Sequence, residues 1–296
     1  MQSKHQIQQL LSSASIRPNK RHGQHFLIDL NLMRLLVDSA NIQKDDVVLE
    51  AGCGTGSMTE LLAEKAGRII AVELDGNLSE IAEKQLADAK NVILINADVL
   101  ESKHSLNHTI IEALALAYKK YRGRILLVAN LPYDVASSLM MNLLAGPTIA
   151  DAMYVTVQKE VADRMAAAPE TKNYSILSIF LSATGEVKTI RTLKPAVFWP
   201  QPQVDSAMVS FVRNRAKSGR IVNMELFGEI VRLFMGHRRK TLLSCSRLAL
   251  GKLAEITNWP EIFEKCLINP TQRPETLEPE GYIKITNYVA NSQFLY

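Results

Sequence analysis

From Asp46 onward, short apolar runs rich in β-branched residues alternate with longer stretches whose apolar positions recur every three or four residues. That alternation predicts a parallel sheet covered by helices, because parallel neighbours are joined by long, usually helical, crossovers. The predicted strands are Val47–Ala51, Arg68–Leu74, Asn91–Asp98 and Arg124–Leu131, with a fifth at Ala152–Gln158. Helices are predicted between them at Ser57–Ala66, Asn77–Ala87 and about Asn107–Lys120, where Ile110, Ile111, Leu114 and Tyr118 share a face. Two later runs, Val187–Leu193 and Ser206–Val212, flank a Pro-rich loop and read as antiparallel neighbours rather than another crossover unit. The basic stretch Asn214–Asn223 lacks apolar periodicity and reads as a linker. Beyond it the strands stop, and helical patterns broken by Pro260, Pro270, Pro274 and Pro279 predict a small all-α domain. The expected division is therefore 1–213, a linker at 214–223, and 224–296.

Composition narrows this picture. With 296 residues, 47% of them hydrophobic, the chain can bury a full core and a second, smaller unit. No run approaches the eighteen or so apolar residues that span a bilayer, and Met1 to Arg21 lacks the apolar stretch of a secretory signal. A soluble, cytoplasmic protein is expected. The first acidic residue is Asp29, so the opening is basic. It reads as a flexible arm for RNA or, alternatively, as a mitochondrial presequence. Cys53, Cys245 and Cys266 show no metal-ligand spacing and are odd in number, so neither a zinc site nor a disulfide framework is indicated.

The formal charge of +4 is mild, but its distribution is uneven. Arg213 to Lys252 holds ten Lys or Arg against Glu225 and Glu229, a net of +8 that leaves −4 for the rest. Arg17, Lys20 and Arg21 form a second basic cluster. Such stretches are either solvated surface or phosphate contacts, and the choice between them depends on the substrate.

Candidate chemistry begins at Glu50-Ala51-Gly52-Cys53-Gly54-Thr55-Gly56, between the first predicted strand and its helix. Glycines there allow a tight turn and a close approach of backbone to ligand. Seventeen residues past Gly56, Glu73 ends the second strand, where a carboxylate can accept from ribose hydroxyls. Together they indicate a nucleoside cofactor, either S-adenosylmethionine or a dinucleotide, although Ser57 breaks the usual G-x-G-x-x-G spacing of the latter. Asp98 adds a carboxylate for an adenine amino group, or is simply a solvated strand end. The most specific signal is Asn130-Leu131-Pro132-Tyr133, ending the fourth strand. An adenine amine is a poor nucleophile because its lone pair is spread into the ring, so it must be oriented. The Asn130 oxygen and the neighbouring Leu131 carbonyl can accept both amino protons, while Tyr133 stacks on the base. In Phe198-Trp199-Pro200-Gln201-Pro202, Phe198 is the candidate for a second stacking ring, with a packed loop aromatic as the competing view.

These motifs resemble the ribosomal RNA adenine dimethyltransferases, the family of the bacterial kasugamycin-sensitivity enzyme and its eukaryotic and mitochondrial relatives. The resemblance runs from about Arg17 to Leu277. It includes Lys20 to Leu27, the turn from Glu50, the Asn130 motif, Phe198 through Ser206, His237 to Leu242, and Arg273 to Leu277. It implies a Rossmann-like α/β methyltransferase domain with a seven-stranded, mostly parallel sheet, and a helical C-terminal domain. The implied activity is transfer from S-adenosylmethionine to N6 of two adjacent adenines near the 3′ end of small-subunit rRNA, by direct displacement without a metal. By position, His25, Leu27, Gly52, Gly54, Glu73, Asp98 and Asn130 would hold the cofactor, and Arg238, Arg239 and Lys240 would grip RNA. The sequence departs from the family at His25, Cys53 and Asp134, where Asn, Pro and Asn are usual. The implied partner is an immature small ribosomal subunit, met by a monomer. Erythromycin-resistance methyltransferases acting on large-subunit rRNA, and a non-catalytic assembly factor, are the alternatives.

Overall fold

The computed structural model describes residues 2–14, 16 and 24–292. The chain opens with a helix, α1 (Lys4–Ser13), a two-residue strand, β1 (Phe26–Leu27), and α2 (Leu30–Ser39). The alternating run follows: β2 (Val47–Ala51), α3 (Ser57–Lys65), β3 (Arg68–Glu73), α4 (Gly76–Gln85) and β4 (Val92–Asn96). A small hairpin, β5 (Leu100–Ser102) and β6 (Ser105–Leu106), precedes α5 (His108–Tyr121), β7 (Ile125–Asn130), α6 (Ala136–Ala145) and β8 (Ala152–Gln158). Then come α7 (Lys159–Met165), α8 (Ile176–Thr184), β9 (Gly185–Leu193), β10 (Phe198–Trp199) and β11 (Ser206–Arg213).

Seven strands form one sheet in the order β4-β3-β2-β7-β8-β11-β9. The pairings β4–β3, β3–β2, β2–β7 and β7–β8 are parallel, and β8–β11 is antiparallel. All five residues of β2 are buried, as a central strand covered on both faces requires, which is why its sequence is a continuous apolar run around Glu50. The chain leaves β2 in one direction through β3 and β4 and resumes on its other side with β7, so the order reverses at the β2–β7 pair. At such a switch point the loops after the two strands part and leave a crevice. The opposite end of the same pair is tied shut. Asp46, just before β2, accepts from the Arg124 backbone N–H at 2.9 Å and from its guanidinium at 2.6 Å.

The chain separates into two units, Met1–Ala162 with Lys188–Val212, and Asp163–Val187 with Arg213–Tyr296. The expected break after residue 213 is thus corrected in one segment: residues 163–187, which include α8, belong with the C-terminal helices. The expected linker contains a short helix, α9 (Arg215–Ser218), begun by the Asn214 side chain. The second unit continues with α10 (Met224–Met235), α11 (Leu242–Ser246), α12 (Trp259–Lys265) and α13 (Pro279–Asn291). Phe234 is fully buried there, edge-on to Trp259 at 5.7 Å, and Phe180 of α8 meets Phe227 of α10 at 5.0 Å. No helix among the described residues is long and apolar enough to cross a membrane.

The basic opening differs from the flexible arm expected of it. Residues 4–13 are helical, begun by a capping box in which Ser3 and Gln6 satisfy each other's backbone N–H groups. Ile7 and Leu11 are buried against Leu78 and Ile81, worth roughly 1.5–3 kcal/mol for each large aliphatic side chain. Arg17, Lys20 and Arg21 lie outside the described residues.

Candidate active site

The crevice at the β2–β7 switch is a cavity lined by both sequence signals at once: Gly52 and Gly54 after β2, Glu73 at the end of β3, and Asn130, Leu131 and Tyr133 from the end of β7. His25, Leu27 and Asp98 line it too. The glycine turn takes the shape its composition allows. Gly52 and Gly54 have φ of +76° and +59°. A Cβ on Gly52 would sit 2.9 Å from the Pro132 ring, and one on Gly54 would sit 2.9 Å from the Phe26 ring. These two positions therefore require glycine for conformation and for space alike.

Glu73 is held by the turn it faces. Its Oε2 accepts from the Gly54 N–H at 2.8 Å, and its Oε1 from the Asp75 N–H at 3.0 Å. Burial raises its pKa above the ordinary carboxylate range, against the lowering effect of those two bonds. A carboxylate has about four acceptor directions, so both oxygens keep capacity for ligand hydroxyls. Asp98 sits two residues beyond β4, exposed, with Oδ1 accepting from the Leu100 N–H at 2.9 Å.

Asn130 is oriented by the main chain of another segment. Its amide N–H donates to the His25 carbonyl at 2.7 Å, which turns the side-chain oxygen the other way as a free acceptor orientation for a ligand amine. The His25 ring meets the Pro200 carbonyl at 2.7 Å and lies 5.3 Å from the Tyr133 ring, tilted by 31°. Tyr133 Oη shares a 2.8 Å hydrogen bond with Ser206 Oγ, and burial raises its pKa. The side chain is thus a neutral stacking surface with its polar end tied back.

Phe198 is placed elsewhere. It pairs with Leu27 in the two-stranded ribbon β1–β10, is 1% exposed, and packs in the core with Met208 and Leu193. It is not among the residues lining the cavity. The expectation that it offers a second ring to the base is corrected, because the ribbon holds the ring inside. Trp199, next to it, stacks on Phe26 at 6.2 Å instead.

Glu50, given no role of its own in the sequence motif it opens, lines the cavity, as do Ile7 and Leu78, which no motif marks. Glu50 is buried, accepts from Thr59 Oγ1 at 2.6 Å, and has its pKa pushed up to about 8 by burial, opposed by that hydrogen bond and reinforced by the charge of Glu73. Ile7 reaches the cavity from α1, and Leu78 from α4. The signal for Glu50 was present: a charged residue inside a buried strand needs a reason. Arg238, Arg239 and Lys240 follow α10 in the second unit and are exposed. Arg238 is partly engaged, with Nε 3.6 Å from Glu275 and Nη1 donating to the Tyr174 carbonyl at 3.4 Å. Among the described residues, no group of three or more His, Cys, Asp or Glu could hold a metal ion.

A family profile described as Ribosomal RNA adenine dimethylase matches residues 16–289. The chain belongs to that family. Among its relatives, the Ribosomal RNA small subunit methyltransferase A of Alkaliphilus metalliredigens is 36% identical over 286 residues, covering 96% of each chain. Solved structures agree in fold. A dimethyladenosine transferase from Plasmodium falciparum superposes with a TM-score of 0.71 at 21% identity, covering 88% of this chain and 96% of that one. The 23S rRNA methyltransferase ErmE does so with 0.59 at 20% identity, over 90% of this chain and 100% of that one. The cofactor of an RNA adenine dimethylase is S-adenosylmethionine, and the cavity fits that group. Glycines spare the space where a Cβ would strike Phe26 or Pro132, and a partly engaged acid, Glu73, stands at the end of the neighbouring strand.

Proposed function

We propose that this chain transfers methyl groups to N6 of two adjacent adenines near the 3′ end of small-subunit rRNA, giving N6,N6-dimethyladenosine, within an immature small-subunit particle in the cytoplasm. One observation carries the reading: the Asn130 amide, its orientation held by the His25 carbonyl, lines the same cavity as the glycine turn and Glu73. Identity of 36% over nearly the full length of a small-subunit methyltransferase favours that rRNA over the large-subunit one.

Bound in the cavity, S-adenosylmethionine supplies an electrophilic methyl group on a sulfonium. Gly52 and Gly54 admit it closely, Glu73 takes the ribose hydroxyls, Asp98 the adenine amino group, and His25 and Leu27 close the wall from the segment around β1. Asn130 Oδ1 and the Leu131 carbonyl accept the two N–H protons of the target amine, which favours a lone pair held on nitrogen and aimed at the methyl carbon over one spread into the ring's π system. Tyr133 supplies the stacking face that offsets the unstacking of the base. The amine that has gained a methyl is cationic and acidic and gives up one proton to solvent; the one N–H that remains is enough for one of the two acceptors to orient it again. Arg239 and Lys240, with Arg238, contact rRNA phosphates; Arg17, Lys20 and Arg21 do the same from the amino-terminal segment.

The test is transfer of labelled methyl groups to small-subunit particles by the wild type and by Asn130→Ala. The variant is expected to lose about a hundredfold or more in rate, with cofactor affinity changed far less. Near-normal turnover by the variant would falsify the role given to Asn130.

A further inference from the structure

Residues 2–13 precede the part of the chain that the family profile matches, yet Ile7 among them lines the cavity. Gln2 is 5% exposed and makes three hydrogen bonds, two to Thr55 in the glycine turn and one to Ser57, the first residue of α3. Its backbone N–H donates to Ser57 Oγ at 2.8 Å, its side-chain N–H donates to the Thr55 carbonyl at 3.1 Å, and its Oε1 accepts from the Thr55 hydroxyl. A side-chain amide carries its donor and its acceptor on separate atoms, so Gln2 takes hold of the Thr55 carbonyl and the Thr55 hydroxyl at once. The turn needs such a hold. Gly52, Gly54 and Gly56 all have positive φ, and Gly56 begins α3 without any side-chain cap. Left alone, a segment this rich in glycine has many conformations to lose when a ligand orders it. One turn further along α1, Ile7 lines the cavity and packs, with Leu11, against Leu78 and Ile81 of α4. Leu78 lines the cavity as well. Gln2 thus holds the turn while α1, just after it, packs on the helix that follows Glu73.

We propose that Gln2 is a positioning residue for the cofactor, and that α1 is a roof whose docking is coupled to occupancy of the cavity. The inference rests on the reading that the cavity takes S-adenosylmethionine. By holding the turn in its binding shape beforehand, Gln2 removes an ordering cost from cofactor binding. Linkage then requires the reverse: a bound cofactor holds Gln2 and α1 docked by the same factor.

The experiment titrates S-adenosylhomocysteine calorimetrically into the full chain and into Gln2→Ala, Gln2→Glu and Ile7→Ala. Hydrogen exchange of residues 4–13 is followed with and without the same ligand. Losing the Gln2 side-chain bonds is expected to weaken binding about tenfold. Gln2→Glu, which keeps an acceptor for Thr55 but loses the donor, falls between wild type and Gln2→Ala. The KM for S-adenosylmethionine rises by a similar factor while the KM for the small-subunit particle stays. Exchange in α1 slows on adding ligand in the wild type and much less in Gln2→Ala. Equal affinity across wild type, Gln2→Glu and Ile7→Ala, or exchange in α1 indifferent to ligand, overturns the inference; should Gln2→Ala lose its fold, these two variants decide alone. Failure of the wild type to bind S-adenosylhomocysteine overturns instead the reading on which the inference rests.

Discussion

Glu50 shows how one side chain ties site to stability. It lies in the central strand, 2% exposed, with one hydrogen bond from Thr59. Unfolded, its carboxyl ionises near 4.5; folded, burial holds the proton to about 8. The folded state therefore binds more protons than the unfolded state across that window, and this group's contribution falls as pH rises from about 4.5 towards 8. Thermal melting of cofactor-free protein is expected to show it: Glu50→Gln keeps the acceptor for Thr59 and gains stability relative to wild type as pH rises through that interval. A constant difference between the two across pH would contradict the assignment. At this scale the sequence made the reactive group legible, since Asn130-Leu131-Pro132-Tyr133 and Glu73 have few other uses together. It left hidden what orients them. That the His25 main-chain carbonyl, 105 positions away, turns the Asn130 amide depends on no side-chain identity, so no motif encodes it. The resemblance placed His25 at the cavity, whereas the ring's hydrogen bond to Pro200 follows from a pairing that residue types do not announce.

Among the elements, the long ones were readable and the short ones were not. β2, β3, β7 and β8 are apolar runs bounded by turns, and each lies within a residue or so of its expected place. The ribbon of β1 and β10 has two residues on each side, too few for any period, and it joins segments about 170 positions apart. Missing it misplaced Phe198. Because that ring is enclosed, Phe198→Ala is expected to cost about 3–5 kcal/mol of stability, as removal of a large core side chain does. Denaturant titration checks this, and a variant of near wild-type stability with a raised KM for RNA would restore the stacking role. The opening helix was also encoded, by Ser3-x-x-Gln6 ahead of Ile7, Leu10 and Leu11. The absence of acids before Asp29 gives the same segment a basic character that masks this helical pattern.

For the molecule as a whole, the change from alternating strands to helices located the second unit, but residues 163–187 joined it from before the last strands. No composition shift marks that excursion, and membership of a packed unit is a property of contacts between distant segments. The second unit carries the basic run, with Arg239 and Lys240 exposed and Arg238 partly committed to Glu275. Replacing Arg239 and Lys240 by Ala is expected to weaken rRNA binding and to lower the slope of log affinity against log salt by about 1.5, for two lost phosphate contacts. Filter binding from low to moderate salt reads both, and an unchanged slope removes these residues from the interface. The central claim is that one cavity brings an adenine amine, oriented by Asn130, to the methyl donor over the glycine turn. Mass spectrometry of small-subunit rRNA, from cells lacking the protein and complemented with either form, tests it most directly. N6,N6-dimethyladenosine is expected at two adjacent positions near the 3′ end with the wild type, and unmodified adenines with Asn130→Ala. Dimethylation restored equally by both forms would contradict it.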